Sequence, residues 1–273
     1  MAVNNPAETA LHDGDPEAAL QLLQAQVRAN PSDAKLRVFL FQLLALLGQW
    51  ERALSQLEVA AELDASALAM AQTYREALHC ERLRAEVFAG RKAPLIFGQP
   101  EPWLALLVES LLEAGRGHRE QADALRAQAF DAAPACCGTL DGQAFEWIAD
   151  ADMRLGPVCE AIVNGRYYWI PFQQLERIVL DAPEDLRDAV WMPAHFQFGN
   201  GGEAVGLIPT RYPGSESDPN PMIRLARRTE WLQAGEGVYH GLGQRVLATD
   251  RGDFALMDLR EIRLGAQPEA AAE

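Results

Sequence analysis

Lysine is nearly missing from this chain. Only Lys35 and Lys92 occur among 24 basic residues, and 39 acidic residues bring the formal net charge to −15 over 273 residues. The deficit is shared along the chain, with 12 basic against 18 acidic residues up to Gly138 and 12 against 21 after it. Nucleic acid and anionic membrane both require clustered Lys and Arg to neutralise phosphate, so neither is expected as a partner. Long apolar runs are missing too. Phe39–Leu47 falls short of the roughly 20 residues that span a bilayer and is interrupted by Gln42. Met1–Leu20 has no basic leader and no apolar block, which argues against a secretory signal and leads to the expectation of a soluble, cytoplasmic protein. The four cysteines, Cys80, Cys136, Cys137 and Cys159, form no C-x-x-C pair, and vicinal Cys136-Cys137 lacks the spacing of a structural zinc site. Reduced, mostly buried thiols are expected. The five histidines show no H-E-x-x-H, and Gly214-Ser215-Glu216-Ser217 is no nucleophile elbow. Gly199–Gly202 and Gly235–Gly243 lack the lysine and Ser/Thr of a phosphate loop. No cofactor or metal is expected.

What the chain does contain, first, is a repeat. Gly14-Asp15-Pro16-Glu17-Ala18-Ala19-Leu20 aligns with Gly48-Gln49-Trp50-Glu51-Arg52-Ala53-Leu54 at an offset of 34 residues, the tetratricopeptide period. Leu23 then falls on Leu57 and Asn30 on Asp64. Ala19 and Ala53 let paired helices approach, and the glycines take the turns between them. Helices are predicted over Pro6–His12, Pro16–Ala29, Asp33–Leu47, Trp50–Leu63 and Ala67–Ala89, with Ser32-Asp33 as a capping sequence. Arg82 stands where a third repeat would place its glycine, so that unit departs from the pattern. A proline- and glycine-rich connector, Gly90 to Pro102, leads to a further helical pair, Trp103–Ala114 and His118–Ala132. Stacked repeats expose a concave surface. In the second repeat Lys35, Val38, Gln42, Ala45 and Leu46 should face it, forming an apolar strip suited to an amphipathic helix.

Beyond Gly138 the periodicity changes from helical to alternating. Asn164-Gly165 separates two apolar runs, and this dipeptide accepts the two positive φ values of a type I′ hairpin. Val163 should face Arg166, Ile162 Tyr167 and Ala161 Tyr168, putting Ile162, Tyr167 and Trp169 on one face and Val163, Tyr168 and Ile170 on the other. Further strands are expected at Gln174–Leu180, Ala189–Phe198 and Ala204–Pro209, with a helical turn at Pro183–Arg187. A last hairpin about Arg251-Gly252 would set Asp250 opposite Asp253. The fold class is therefore α+β: tetratricopeptide-like helices over residues 1–138, a small antiparallel β-rich unit over 139–264 of about six or seven strands, as a twisted sheet or partly open barrel, and a flexible tail, 265–273.

Two groups of side chains could carry chemistry. Asp150 and Asp152 form an Asp-x-Asp pair that could grip a divalent ion and, with His195, would define a metal-dependent hydrolase. The alternative is that the carboxylates pair with Arg154 and pin the junction between the two units, which would lower their pKa. Tyr167, Tyr168, Trp169 and Trp191 read as core rather than as a ligand platform. Arg224-Leu225-Ala226-Arg227-Arg228 is the densest positive patch and could hold an acidic segment.

The run from Phe145 to Pro157, F-x-W-I-x-D-x-D-x-R-L-G-P, followed by V-N-G-R-Y-Y-W-I-P-F from Val163 to Phe172, resembles the signature of the ImpE/TagJ family of type VI secretion accessory proteins. Trp191-Met192-Pro193-Ala194 and Leu207–Pro213 extend the likeness. On that pattern Trp147, Asp150, Asp152, Arg154, Gly156, Asn164, Gly165, Tyr167 and Trp169 are signature positions with a structural role. The resemblance implies a non-enzymatic adaptor that binds the N-terminal helix of the small contractile-sheath subunit and associates with the AAA+ ATPase that disassembles contracted sheath. The remaining alternative is a purely structural brace within a larger complex.

Overall fold

The computed structural model describes residues 5–99 and 101–265. The expected tail lies outside the described residues except for Gly265, whose N–H donates to the Cys137 carbonyl at 2.9 Å.

The helices are α1 (Pro6–His12), α2 (Pro16–Ala29), α3 (Ala34–Leu46), α4 (Trp50–Leu63) and α5 (Leu68–Phe88). After the connector come α6 (Pro102–Gly115) and α7 (Arg119–Ala132). Each start has a local cause. Asn5 and Asp15 cap α1 and α2 ahead of a proline at the first helical position, and the Asp33 carboxylate accepts from the N–H groups of Lys35 (2.9 Å) and Leu36 (3.2 Å). Gly14 and Gly48 take φ of 87° and 66° in the turns of the two aligned repeats, where a Cβ would be strained.

The strands are β1 (Leu95–Ile96), β2 (Gly138–Leu140), β3 (Gln143–Phe145), β4 (Ile148–Asp150), β5 (Val158–Val163), β6 (Arg166–Pro171) and β7 (Leu175–Leu180). There follow β8 (Trp191–Phe198), β9 (Glu203–Pro209), β10 (Thr229–Gly235), β11 (Val238–Gly243), β12 (Val246–Thr249), β13 (Gly252–Ala255) and β14 (Glu261–Leu264). A four-residue helix, α8 (Pro221–Arg224), precedes β10. Nine strands form one sheet in the order β1-β6-β5-β9-β8-β7-β14-β2-β3; β13-β12-β4 form a second and β10-β11 a separate ribbon.

The β5–β6 hairpin has the expected register, with Ile162 opposite Tyr167 and Asn164 and Gly165 at φ 49° and 71°. Its faces divide the core. Ile162, Tyr167 and Trp169, with Trp191 and Leu207, pack against the helices. Val163 and Ile170 face a second cluster that includes Ile178, Phe196, Ile262 and, from the smaller sheet, Ile148 and Leu247.

Three expectations need correction. The sheet-rich part holds thirteen described strands, not six or seven, because several are only three or four residues long and leave no periodic trace. The connector, expected to be irregular, supplies β1, which pairs in parallel with β6 while Phe97 stacks on Phe198 at 4.2 Å. In the last hairpin Ala248, not Asp250, lies opposite Asp253; Asp250 sits in the turn and accepts from the Glu146 N–H at 2.7 Å, which removes the like-charge clash.

Candidate functional site

Four signature residues, Asp150, Asp152, Arg154 and Tyr167, meet in a buried network of charges where α5 crosses the sheet. Glu160 on β5 is fully buried and lies between two arginines. Arg84 of α5 donates to it through Nε and Nη2, and Arg245, just before β12, donates through Nη2; the Tyr167 hydroxyl adds a bond of 2.7 Å. Arg245 also donates to Asp150, whose other oxygen accepts from the Tyr212 hydroxyl (3.0 Å) and the Asp152 N–H (2.9 Å). Asp152 in turn is clamped by Arg154 and accepts from the Gly241 N–H at 2.8 Å. On the helical side Arg84 reaches the Arg211 carbonyl (2.7 Å) and Glu81, which accepts from the Trp191 indole at 2.8 Å. Four carboxylates, Glu81, Asp150, Asp152 and Glu160, thus pair with three guanidiniums, Arg84, Arg154 and Arg245, and pairing is the condition for keeping such charges out of water.

Protonation follows the wiring. Burial works against ionising Glu160 and Asp152, but their arginine partners prevail and hold both below the usual carboxylate range. Burial, with the Asp152 charge added, pushes Asp150 up to about 6 despite Arg245. Burial also raises Glu81 and brings Arg211 down to about 10.

The hydrolase constellation does not assemble. Asp150 and Asp152 are adjacent, but arginines and backbone N–H groups occupy their oxygens, while the His195 side chain is 55% exposed on β8, 3.9 Å from Asp181. Among the described residues no group of three or more His, Cys, Asp or Glu is placed to hold a metal ion. Of the other signature positions, Tyr167 and Trp169 are fully buried, Trp147 is exposed, and Gly156 lies against the Phe130 ring.

The surface expected to receive a partner is partly filled by the chain itself. Trp191 wedges against Trp50 (6.0 Å) and Tyr74 (5.7 Å), and the turn Leu186–Ala189 packs on α3. As a result Ala45 and Leu46 are fully buried and Gln42 nearly so, and Arg211 donates to the Leu46 carbonyl at 2.8 Å. Ala45 and Leu46 therefore line no open groove; apolar positions of a repeat face bury themselves against the nearest apolar surface, here the sheet. What stays open is a slot of about 570 Å³ at the amino-terminal end, between α1, α3 and Glu184–Leu186, lined by Lys35, Val38 and Gln42 together with Leu11, Leu36 and Phe39. The positive patch is also engaged internally: Arg224 pairs with Glu17 of α2 and Arg227 donates to the His12 carbonyl at 3.0 Å.

Residues 142–263 match the family model described as ImpE protein, and residues 10–75 match a tetratricopeptide repeat model. The chain is 54% identical over 256 residues to the type VI secretion system accessory component TagJ of Pseudomonas aeruginosa, covering 94% of this chain and 90% of that protein. The chain belongs to the ImpE family. The crystal structure of protein VPA1032 from Vibrio parahaemolyticus is similar throughout, with 28% identity and a TM-score of 0.87 over 96% of this chain and 98% of that one.

Within this ImpE-family chain, sequence reasoning missed Arg84, Glu160 and Arg245. Glu160 had one available signal: a lone charge in the apolar strand Val158–Val163 must meet an opposite charge if both faces are covered. Arg84 and Arg245 had none, since their partners are 76 and 85 residues away in sequence. No helix among the described residues is long and apolar enough to cross a membrane.

Proposed function

We propose that this chain is a non-enzymatic adaptor of a bacterial type VI secretion apparatus, working in the cytoplasm, that holds the N-terminal helix of the small sheath subunit and links it to the sheath-disassembling AAA+ ATPase. The observation that carries the reading is the 54% identity with TagJ across 94% of the chain, which spans the helical and the sheet-rich parts alike. In this reading residues 1–138 receive the partner and 139–264 brace them from behind.

The slot supports a helical ligand. Leu11, Leu36, Val38 and Phe39 offer an apolar floor, and Lys35, Glu8 and Glu184 a charged rim, which suits one face of an amphipathic helix. The internal pairing of Asp150 and Asp152 supports a role without catalysis. A fluorescein-labelled N-terminal peptide of the small sheath subunit, titrated by anisotropy, tests the proposal. Saturable binding lost in Val38→Glu with the circular dichroism spectrum kept is the expected result. Normal binding by that variant would move the site off the helices. A manganese-dependent thermal shift abolished in Asp150→Asn would replace the adaptor with a metal enzyme.

A further inference from the structure

A second cavity, of about 420 Å³, lies where the end of α5 meets the α6–α7 pair and the β10–β11 ribbon. It differs from the rest of this acidic molecule in its charge: Arg119, Arg126 and Arg154 line it, against a single carboxylate, Asp123. Arg126 is only 7% exposed, yet its guanidinium makes one hydrogen bond among the described residues, from Nη2 to Asp123 at 2.6 Å. Arg154 is clamped to Asp152 through Nε and Nη2, and no bond from its Nη1 is formed among the described residues. The Phe88 ring, 4.9 Å from the Arg154 guanidinium carbon, fixes that group from one side. His240 also lines the cavity and makes no side-chain hydrogen bond among the described residues. The open guanidinium donors are not sealed off but give onto the cavity, and the partner that suits them there is an acceptor, best an ionised one. Leu107, Leu111 and Val238 supply an apolar part of the wall, beside the polar side chains of Ser110 and Gln233.

We infer that this cavity binds a small molecule with an oxyanion head, phosphate or carboxylate, on an apolar body. The head would take the open donors of Arg126 and Arg154, and the body would cover Leu107 and Leu111. His240 is the natural reporter. Burial, then Arg154 and Arg126, against the weaker opposing pull of Asp152 and Asp123, bring its pKa down to about 4, so the ring is neutral at pH 7. A negative head placed between the arginines reverses part of that push.

The test uses three probes on the full chain: phenyl phosphate, benzoate and inorganic phosphate. Each is followed by calorimetry and by the His240 ring resonances in pH titrations. Phenyl phosphate or benzoate is expected to bind saturably and raise the His240 titration midpoint, with inorganic phosphate weaker for want of the apolar body; the tighter of the first two names the head group. Arg126→Gln should weaken binding by about tenfold or more, the loss of one hydrogen bond to a charged group. Arg119→Gln, on the exposed rim where folding is not at stake, should weaken it by a few-fold. No saturable binding up to ~10 mM, where a surface-grade contact would already saturate, would overturn the inference. So would unchanged affinity in both variants, an equal response to chloride at matched ionic strength, or binding of an acidic peptide but none of the probes.

Discussion

Replacing Arg84 by methionine removes the guanidinium through which α5 grips the sheet. The side chain is 6% exposed and serves Glu160, Glu81 and the Arg211 carbonyl. Methionine restores much of the volume but none of the donors. Glu160 then keeps Arg245 and Tyr167, Glu81 keeps only the Trp191 indole, and the Arg211 carbonyl loses this donor. Removing one member of a buried pair while the other stays charged costs about 3–5 kcal/mol. With a urea slope of roughly 3 kcal/mol per M for a chain of this size, the unfolding midpoint should fall by about 1–2 M. Urea is the denaturant of choice because guanidinium would screen the charges under test. Tryptophan fluorescence reports the transition, since Trp169 and Trp191 are buried within the network. Glu160→Gln added to Arg84→Met should cost less than the sum of the two single changes, because the pair shares one interaction. A midpoint shift below ~0.3 M with an unchanged slope would mean that the network does not fasten helices to sheet.

Other expectations follow from the same geometry. Gly241→Ala puts a Cβ 2.2 Å from the Tyr212 ring, which also holds Asp150, so a loss of about 2 kcal/mol or more is expected in the same urea assay. Leu46→Glu should unfold the chain or lower its melting temperature steeply, since the side chain is fully buried, whereas Val38→Glu at the slot should leave circular dichroism intact. Asp150 has its folded pKa raised to about 6, so folding takes up a proton as pH falls. That group should add about 1 kcal/mol of stability between pH 7 and pH 5, and Asp150→Asn should remove this part of the pH dependence. Glu160 and Asp152 act in the opposite sense: their contribution is present above the unfolded carboxylate range and is lost only as pH falls through their depressed values, below pH 5.

Much of the architecture was legible because its signals are local. The glycine–alanine–leucine repeat at an offset of 34 residues, the caps at Asn5, Asp15 and Asp33, and the Asn164-Gly165 turn each act within a few residues. The strands of three or four residues carried no such signal, and β1 hid in a connector whose prolines argue against regular structure. The site was less legible for a related reason. Helical spacing put Lys35, Val38 and Gln42 on one face, but which part of that face stays open depends on Trp191 and Leu186, more than 140 residues away. The carboxylates of the Asp-x-Asp pair look like ligands in isolation; only the fold brings Arg245 to one of them.

The most direct test of the adaptor account is the affinity of the small sheath subunit's N-terminal peptide for this chain and for Val38→Glu. The account predicts saturable binding that disappears in the variant while its melting curve stays that of the parent. A peptide that fails to bind the parent chain, or binds both proteins equally, would contradict it.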